Sequence, residues 1–499
     1  MAATLDRLAA HVSRYSAGNL VVTLAGFISF PILTRLFSVS DYGLLSLVSA
    51  TLMILVACGK AGIQNSVLRF YSEIRAGDGP FTLSSYYATV VIGMTIGGVL
   101  VALLWFLANA LAPFHWWPVP GRRLLPLVVA LLVLVRVLDS AFMNMLRAQE
   151  RSGLYSLYQV LRRYGTLAVI LATLILVSRS VEGFFSATLV GELAAVSVLG
   201  WLLLTKVHWS PTDFSRQLMI RMLSFGVPLI GYELAGQILS IGDRYVIQWA
   251  LGSAALGSYA AAYNMCEYAN GVVVASLVSA ILPTYLRLWS DEGETATREF
   301  LQRSLHFYLM AALPVIVGLT AVGPELLTLL ASSKYALGGV VIPWAIAGMV
   351  LDGSVVMFGA GLYIRKRGAT MMLLVAGAAV FNILLNLVLV PRLGIQGAAI
   401  ATLVSYLGLT AATGLAARRV IRLGLPLGST AKFGLIALSM YPVVTAIHTG
   451  SLVATILLRV VTGVLWYGAL VTLADGETRQ MLWQVLAALR RRPVGSGSH

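Results

Sequence analysis

Two oppositely charged residues lie inside the otherwise apolar stretch "LVLVRVLDSAFM", residues 132–143. Arg136 and Asp139 are three positions apart, so on a helix they share a face and can partly neutralise each other. A lone charge at the centre of a membrane helix costs roughly 2.5–3.5 kcal/mol on insertion scales. Two interpretations remain open: an ion pair that packs helices together, or a cationic wall whose guanidinium binds phosphate through paired hydrogen bonds.

A second polar stripe runs along the segment near residue 240. Glu233, Gln237, Ser240 and Arg244 follow one another at intervals of four, three and four residues, which keeps them on one face of a helix. A polar stripe on a membrane helix must face protein or water. We therefore place Arg244 and Gln237 beside Arg136 as candidates for contact with a polar cargo.

Several acids also lie within apolar segments. A carboxyl group at membrane depth can exchange a proton or bind a cation, so these acids are candidates for coupling transport to an H⁺ or Na⁺ gradient. The alternative for each is a salt bridge to Arg136, Arg244 or Arg459. The coupling candidates are Glu233, Glu267, Asp352 and Asp139.

The composition places these residues in a membrane protein. The 499 residues are 59% hydrophobic and 11% charged, with a mean hydropathy of +0.86, whereas soluble proteins carry about 25% charged residues. Apolar runs of about 20 residues predict transmembrane helices, and their continuous rather than alternating character argues against a barrel. We expect an all-α polytopic membrane protein with about 14 spans. They are 15–36, 43–66, 85–111, 124–146, 157–178, 183–205, 222–249, 256–286, 304–324, 338–364, 369–391, 395–417, 430–448 and 452–473.

The positive charges predict the orientation in the membrane. With a cytoplasmic N-terminus, 26 Lys and Arg residues fall in cytoplasmic segments and 6 in outer segments. The positive-inside rule then places both termini in the cytoplasm. The membrane topology explains most of the net charge of +15. The sequence contains no basic run with interleaved aromatic residues, so nucleic-acid binding is not predicted. The two cysteines form neither a disulfide pattern nor a metal-ligand pattern.

The two halves of the chain echo each other. When "SDYGLLSL" (40–47) is placed over "AALGSYAA" (254–261), Gly43 falls on Gly257, and the same offset of 214 places Tyr71 on Tyr285. Chance similarity between apolar segments is the alternative, but duplicated halves are common in transporters. We expect a cytoplasmic segment 1–14, an N-terminal lobe 15–210, a C-terminal lobe 211–420, an extra helix pair 421–475 and a cytoplasmic tail 476–499.

The stretches "PILTRLFSVSDYGLLSLVSATLMILVACGKAGIQNSVLRFYSE" (31–73), "FGVPLIG" (225–231) and "ILPTYLRL" (281–288) resemble a known family. It is that of the bacterial polysaccharide and O-antigen flippases, in the multidrug/oligosaccharidyl-lipid/polysaccharide exporter superfamily. The resemblance implies a V-shaped pair of pseudo-symmetric six-helix lobes around a central cavity. Arg35 and Arg69 lie in the resembling stretch and complete the cationic cavity candidates. The Arg-Asp pair in helix 1 of related peptidoglycan-precursor flippases is not found.

The resemblance implies a function. The expected cargo is an oligosaccharide repeat unit linked to undecaprenyl pyrophosphate. The expected activity is its translocation from the cytoplasmic to the outer leaflet of the bacterial inner membrane by alternating access. Expected partners are this cargo, membrane lipids and the polysaccharide polymerase or export machinery, with no cofactor and no metal.

Two alternative functions are open. A cation-coupled exporter of drugs or metabolites on the same fold would favour carboxylates and aromatics over arginines in its cavity. A polytopic glycosyltransferase, polymerase or ligase would need an acid or base on a sizeable outer loop. The predicted outer loops are short and carry no cluster of acids and histidines, so we do not expect an enzyme.

Overall fold

The computed structural model describes residues 21–77, 79–111, 124–205, 209–271 and 276–480. These residues are almost entirely helical, and none of them forms a strand. A backbone surrounded by lipid must satisfy its hydrogen bonds within its own segment, which is why continuous apolar runs become helices. The prediction of an all-α polytopic membrane protein is confirmed.

The helices are numbered in chain order. The first seven are α1 (Val21–Leu36), α2 (Val39–Lys60), α3 (Ile63–Arg75), α4 (Leu83–Leu111), α5 (Leu125–Ala148), α6 (Ser152–Leu176) and α7 (Val181–Leu204). They are followed by α8 (Arg216–Ile241), α9 (Asp243–Leu251), α10 (Ser253–Asn270), α11 (Ser276–Asp291), α12 (Gly293–Leu330), α13 (Ile342–Phe358), α14 (Ala360–Ile364), α15 (Gly368–Leu393), α16 (Ile395–Ala417), α17 (Leu427–Thr445) and α18 (Leu452–Ala474).

Within the described ranges, 12 helical segments are long and apolar enough to cross a membrane. Two of these segments contain a break: α2 continues into α3, and α8 continues into α9. The remaining two predicted spans correspond to the shorter helix α1 and to the pair α10 and α11, which flank residues 272–275 outside the described part. The predicted spans 43–66 and 304–324 were too short, because α3 and α12 continue beyond the apolar runs.

The positions at which helices begin repeat along the chain. Val39, where α2 begins, and Ser253, where α10 begins, are 214 positions apart. Val181 and Ile395, where α7 and α16 begin, are separated by the same 214 positions. The offset derived from the weak echo in sequence therefore recurs at the start of the second helix and of the last helix of each lobe, as expected for duplicated halves.

The equivalent helices α2 and α10 also contact each other. A Cβ atom added to Gly43 would lie 2.0 Å from the carbonyl oxygen of Ser253, and one added to Gly257 would lie 1.9 Å from that of Val39. Each glycine thus faces the start of the partner helix, which is the reciprocal contact that a twofold relation produces. We call the end of the bundle where α2 and α10 begin the upper end, and the opposite end, where α3 and the start of α8 lie, the lower end.

The two lobes share one hydrophobic core, to which α2 to α7 contribute together with α9, α10 and α13. The helices α17 and α18 pack against α12 around a separate small core. Arg459 of α18 is buried there, with Nη1 2.7 Å from Oε1 of Glu325 on α12, and its Nε donates to the carbonyl of Ile447 at 3.0 Å. This arginine therefore fastens the C-terminal pair to the C-terminal lobe.

Candidate functional site

The charged residues of α5 pair with neighbouring helices. Nε and Nη2 of Arg136 lie 2.8 and 3.0 Å from the two carboxylate oxygens of Glu192 on α7. Asp139 accepts hydrogen bonds from Tyr158 and Arg162 on α6, each at 2.5 Å. Arg136 lies within electrostatic reach of Asp139, as the three-residue spacing predicts, but the two residues do not form an ion pair with each other. The reason is that α5 packs against both α6 and α7, whose longer side chains reach these charges first.

The two ion pairs form one network in the N-terminal lobe. The side chain of Arg136 is 28% exposed and that of Glu192 is 13% exposed, so the pair is largely withdrawn from solvent. Each arginine of the network faces one acid, so the charges cancel. This arrangement favours the packing interpretation of Arg136, since it ties α5 to α7 and, through Arg162 and Asp139, to α6.

A cavity of about 430 Å³ lies between the lobes. Gln159, Arg162 and Arg163 line it from α6, and Glu267 and Tyr268 line it from α10, while α1 supplies small residues. Arg163 is exposed, whereas the guanidinium of Arg162 forms an ion pair with Asp139. Of the predicted site residues, Glu267 lines this cavity.

The arginine pair was missed in the sequence because it was counted as a topology signal. Arg162 and Arg163 lie well inside α6, 10 and 11 positions after its first residue, Ser152. Cations that set the topology lie at helix ends, so the position of this pair needs another explanation. Two adjacent cations in the interior of a span could have identified the site.

Arg35 joins the lobes at the upper end. Its guanidinium donates to the carbonyls of Leu329 and Leu330 at 2.7 Å each, which are among the last carbonyls of α12. Lys334 returns the contact by donating to the carbonyl of Phe37 at 2.6 Å, just after α1. Each cation satisfies free carbonyls at the end of a helix of the other lobe.

Arg69 lies at the lower end and is exposed. Its guanidinium carbon is 4.5 Å from the ring centroid of Phe225 on α8, a distance at which a cation and an aromatic face attract each other. Neither Arg35 nor Arg69 lines the cavity between the lobes.

The polar stripe on α8 faces the break between α2 and α3. The carboxylate of Glu233 lies 3.2 Å from Nζ of Lys60 and accepts a hydrogen bond from Nε2 of Gln64 at 2.6 Å. The buried Oε1 of Gln237, one turn further along, has no hydrogen-bond partner within the described residues. Glu233 is therefore an ion-pair partner, and Gln237 carries an unused acceptor.

Arg244 lies in α9 and is buried. Its guanidinium carbon is 5.9 Å from the ring centroid of Tyr263 on α10, and its Nε has no hydrogen-bond partner in the described part of the chain. It does not line the cavity between the lobes. Asp352 of α13 does not line that cavity either; its side chain is exposed and lies within electrostatic reach of Tyr363 and Tyr406.

An oxygen-rich cluster is buried in the C-terminal lobe. Asp243 accepts hydrogen bonds from Tyr259 and Thr402, and Thr402 in turn lies 3.5 Å from Nδ2 of Asn382. Asn386 donates to Oδ1 of Asn382 at 3.0 Å. Oδ1 of Asp243 and Oδ1 of Asn386 are buried without a hydrogen-bond partner among the described residues. Such oxygens are the ligands that hard cations prefer, so this cluster could hold one.

This cluster was also missed in the sequence. Its signal is the run "FNILLNLVLV" (381–390), in which two asparagines four positions apart interrupt an apolar helix. Both asparagines are fully buried, and buried amides in a membrane helix need partners on another helix.

Residues 8–289, more than half of the chain, match the family described as "Polysaccharide biosynthesis protein". The chain belongs to this family. The resemblance to polysaccharide flippases that was stated from the sequence is thereby confirmed.

The relatives of this chain include the "Succinoglycan biosynthesis transport protein ExoT" of Rhizobium meliloti (strain 1021). It is 23% identical over 330 residues, which cover 65% of this chain and 61% of the relative. The matched region thus leaves more than a third of the relative's length uncovered.

Solved structures that share the fold of this chain include a flippase and a transporter. The "Lipid II flippase MurJ, inward closed conformation" superposes with a TM-score of 0.76 at 15% identity, covering 94% of this chain and 99% of that one. An inward-facing multidrug resistance MATE family transporter of the MOP superfamily gives 0.62 at 15% identity, covering 79% and 97%. The first of these proteins is a flippase and the second is a transporter.

Proposed function

We propose that this chain flips a lipid-linked oligosaccharide repeat unit from the cytoplasmic to the outer leaflet of the bacterial inner membrane by alternating access. The observation that carries the proposal is the cavity between the lobes, with the exposed guanidinium of Arg163 on one wall. Arginine binds phosphate through paired hydrogen bonds, so this wall suits a pyrophosphate linkage. The fold shared with a lipid II flippase supports the same cargo class.

The size of the cavity bears on the mechanism. Its volume of about 430 Å³ is within the range of small-molecule sites. A pyrophosphate with its first sugar fits such a volume, whereas a repeat unit of several sugars exceeds it. The lobes must therefore separate to admit the cargo, while the lipid tail stays in the bilayer. On the predicted topology the lower end and both termini face the cytoplasm.

A cation gradient is the proposed driving force. Among the predicted coupling acids, Asp139 and Glu233 are engaged in ion pairs. Glu267 and Asp352 are exposed. The unused oxygens of the buried cluster around Asp243 offer a better site for a bound cation. The expected partners remain the lipid-linked cargo, membrane lipids and the polymerase or export machinery.

The alternative is a cation-coupled exporter of drugs or metabolites. Glu267 and Tyr268 on the α10 wall are the residues that would attract a cationic drug. The opposite wall carries two guanidinium groups, one of them without a described acid partner in ion-pair distance, and these repel a cation. The exposed Arg163, which has no acid within ion-pair distance among the described residues, is the group that favours an anionic head group.

Purified protein in proteoliposomes tests the proposal. A fluorescent oligosaccharide on undecaprenyl pyrophosphate is supplied on one side, and its appearance in the other leaflet is read by chemical quenching. Protein-free liposomes give the background, and efflux of a cationic dye from the same vesicles tests the alternative. Flipping without dye efflux supports the proposal; dye efflux without flipping contradicts it.

A further inference from the structure

We propose that Lys60, Gln64 and Glu233 form an electrostatic latch that holds the two lobes together at the lower end. In this proposal Glu233, an acid in a membrane helix and a predicted candidate for ion coupling, has a structural role instead. The role of the latch in transport rests on the proposed function, but its effect on lobe separation can be measured without cargo.

The latch surrounds the break between α2 and α3. Ala61 and Gly62 both adopt left-handed conformations, with φ of 46° and 73°. An alanine at positive φ is uncommon and carries local strain. The surrounding contacts hold this strained turn in place. The break also sets Lys60 at the end of α2 and Gln64 at the start of α3, on either side of the turn.

The backbones of the two lobes touch at this turn. A Cβ atom on Gly62 would lie 2.2 Å from the carbonyl oxygen of Gly226 on α8, and one on Gly226 would lie 2.3 Å from that of Gly62. One turn away, the hydroxyl of Ser66 donates to the carbonyl of Met222 at 2.6 Å. Because no side chain is interposed at the closest point, the backbones are in van der Waals contact there, and the polar contacts beside it add to the attraction between the lobes.

Glu233 receives two of these polar contacts on one carboxylate. Oε1 lies 3.2 Å from Lys60 and Oε2 accepts from Gln64 at 2.6 Å. The side chains of Lys60 and Glu233 are 20% and 27% exposed, so solvent screens the pair only in part. Oε1 of Gln64 is buried without a partner in the described chain, so this amide depends on its bond to Glu233. Loss of one negative charge therefore weakens two contacts at once.

The upper end is held by a different chemistry. There Arg35 and Lys334 donate to main-chain carbonyls, and these contacts do not depend on an acid. Carbonyl acceptors cannot be neutralised, whereas the carboxylate of Glu233 can be. Neutralising Glu233 should therefore release the lower end and leave the upper end closed.

A charge exchange separates the latch from a coupling role. A latch needs opposite charges on α2 and α8, in either order. A coupling carboxylate must remain at position 233. Exchanging the two residues, Lys60→Glu with Glu233→Lys, therefore preserves a latch and destroys a coupling acid.

The experiment measures distances between spin labels in lipid nanodiscs without cargo. Cysteines replace the exposed residues Arg75 and Gln217 to report on the lower end. Exposed Ser40 and Leu337 serve in the same way at the upper end. The background carries alanine in place of Cys58 and Cys266. Each variant must elute as a single species on size-exclusion chromatography.

We expect Glu233→Gln and Lys60→Gln each to raise the population with a separated lower end about tenfold, with no widening of the upper end. The charge exchange should return the lower-end distances to those of the parent. As a control, Arg298→Gln removes an exposed ion pair to Glu294 within α12 and should change neither distance.

Unchanged lower-end distances in both single variants would overturn the latch, and so would a charge exchange that stays as open as the single variants. The flipping assay is separate from these distances. If the distances respond as expected and no lipid-linked cargo is flipped, the latch stands and the proposed function fails.

Discussion

Some arginines inside the helical bundle reach acids on other helices rather than on their own. Arg136 on α5 pairs with Glu192 on α7, and Arg459 on α18 pairs with Glu325 on α12. An arginine has the length to cross between helices, and an acid of opposite charge removes most of its cost in lipid. These pairs stabilise particular helix neighbours, which is a different task from binding cargo.

The pair of Arg136 and Glu192 gives the first prediction. Arg136→Gln should lower the free energy of unfolding by roughly 2 kcal/mol, because it leaves the Glu192 carboxylate without its cation. This is less than the loss of a fully buried pair, since Arg136 is 28% exposed. Thermal unfolding in detergent measures the change. The double variant with Glu192→Gln should recover part of the loss; a double variant as unstable as the sum of both single variants would contradict the pairing.

The oxygen cluster around Asp243 gives a prediction about coupling. Asp243→Asn removes the one negative charge of the cluster, so a cation should no longer bind there. We expect flipping to become insensitive to an imposed Na⁺ or H⁺ gradient. Asp291→Asn, at the exposed end of α11 in the same lobe, serves as the matched control. A variant at position 243 that responds to the gradient as the parent does would exclude this cluster as the coupling site.

Residue types could be predicted from the sequence, but their partners could not. The charges of Arg136 and Asp139 stood out in an apolar run, yet the identity of their partners depends on how α5 packs between α6 and α7. Arg163, in contrast, did not stand out, because a pair of basic residues is ordinarily explained as a topology signal. Only the packing of α6 against α1 and α10 places it at the cavity.

At the scale of elements, α2 and α10 form the closest contact between the lobes at the upper end. Gly43 and Gly257 permit it, since any side chain there would meet a carbonyl oxygen of the partner helix. Close approach of membrane helices at small residues is stabilised by van der Waals contact. The contact keeps the equivalent helices of the two halves together.

Gly257→Ala should destabilise this contact by roughly 1–3 kcal/mol, because the added methyl group overlaps the carbonyl of Val39. The expected result is a lower melting temperature and a wider upper-end distance in the spin-label experiment. Gly236→Ala is the matched control, since a Cβ atom there meets nothing within 4 Å. A melting temperature for Gly257→Ala equal to that of the control would refute the close packing.

The C-terminal pair is fastened by Asp475, which directly follows α18. Its carboxylate accepts from Lys432 at 2.9 Å, from the Thr478 hydroxyl at 2.7 Å and lies 3.3 Å from Nε2 of His306. Burial opposes ionisation of this carboxyl, but the hydrogen bonds from Thr478, Lys432 and His306 outweigh it and hold the pKa of Asp475 below its usual range. The ionised form is therefore the stable one in the folded protein.

The sign of the pH dependence follows from that shift. A carboxyl whose pKa is lower in the folded than in the unfolded state stabilises the fold above its unfolded pKa, about 3.9. This contribution is lost as the pH falls through the folded pKa. Asp475→Asn should therefore be less stable than the parent at pH 7 and at pH 5, with a smaller margin below about pH 4. Thermal unfolding at these values checks it; a margin that disappears between pH 7 and pH 5 would refute it.

At the scale of the whole molecule, two repeated lobes contact each other at both ends, with a cavity between them that is lined by Arg162, Arg163 and Glu267. Hydropathy was sufficient to predict the class and nearly all spans, because the need to satisfy the backbone in lipid leaves few structures open. The offset of 214 was visible from Gly43 and Gly257 alone. Breaks such as that at Ala61 could not be predicted, because the strained turn is held by α8 of the other lobe.

The proposed function requires that the exposed guanidinium of Arg163 helps to hold the pyrophosphate of a lipid-linked cargo. The most direct measurement is the initial flipping rate of fluorescent undecaprenyl-pyrophosphate oligosaccharide at subsaturating cargo, with matched amounts of folded protein. We expect about a tenfold lower rate for Arg163→Gln, equivalent to about 1.4 kcal/mol. Arg163→Lys should lose less, because lysine keeps the charge but not the paired hydrogen bonds. A rate for Arg163→Gln equal to that of the parent would contradict it.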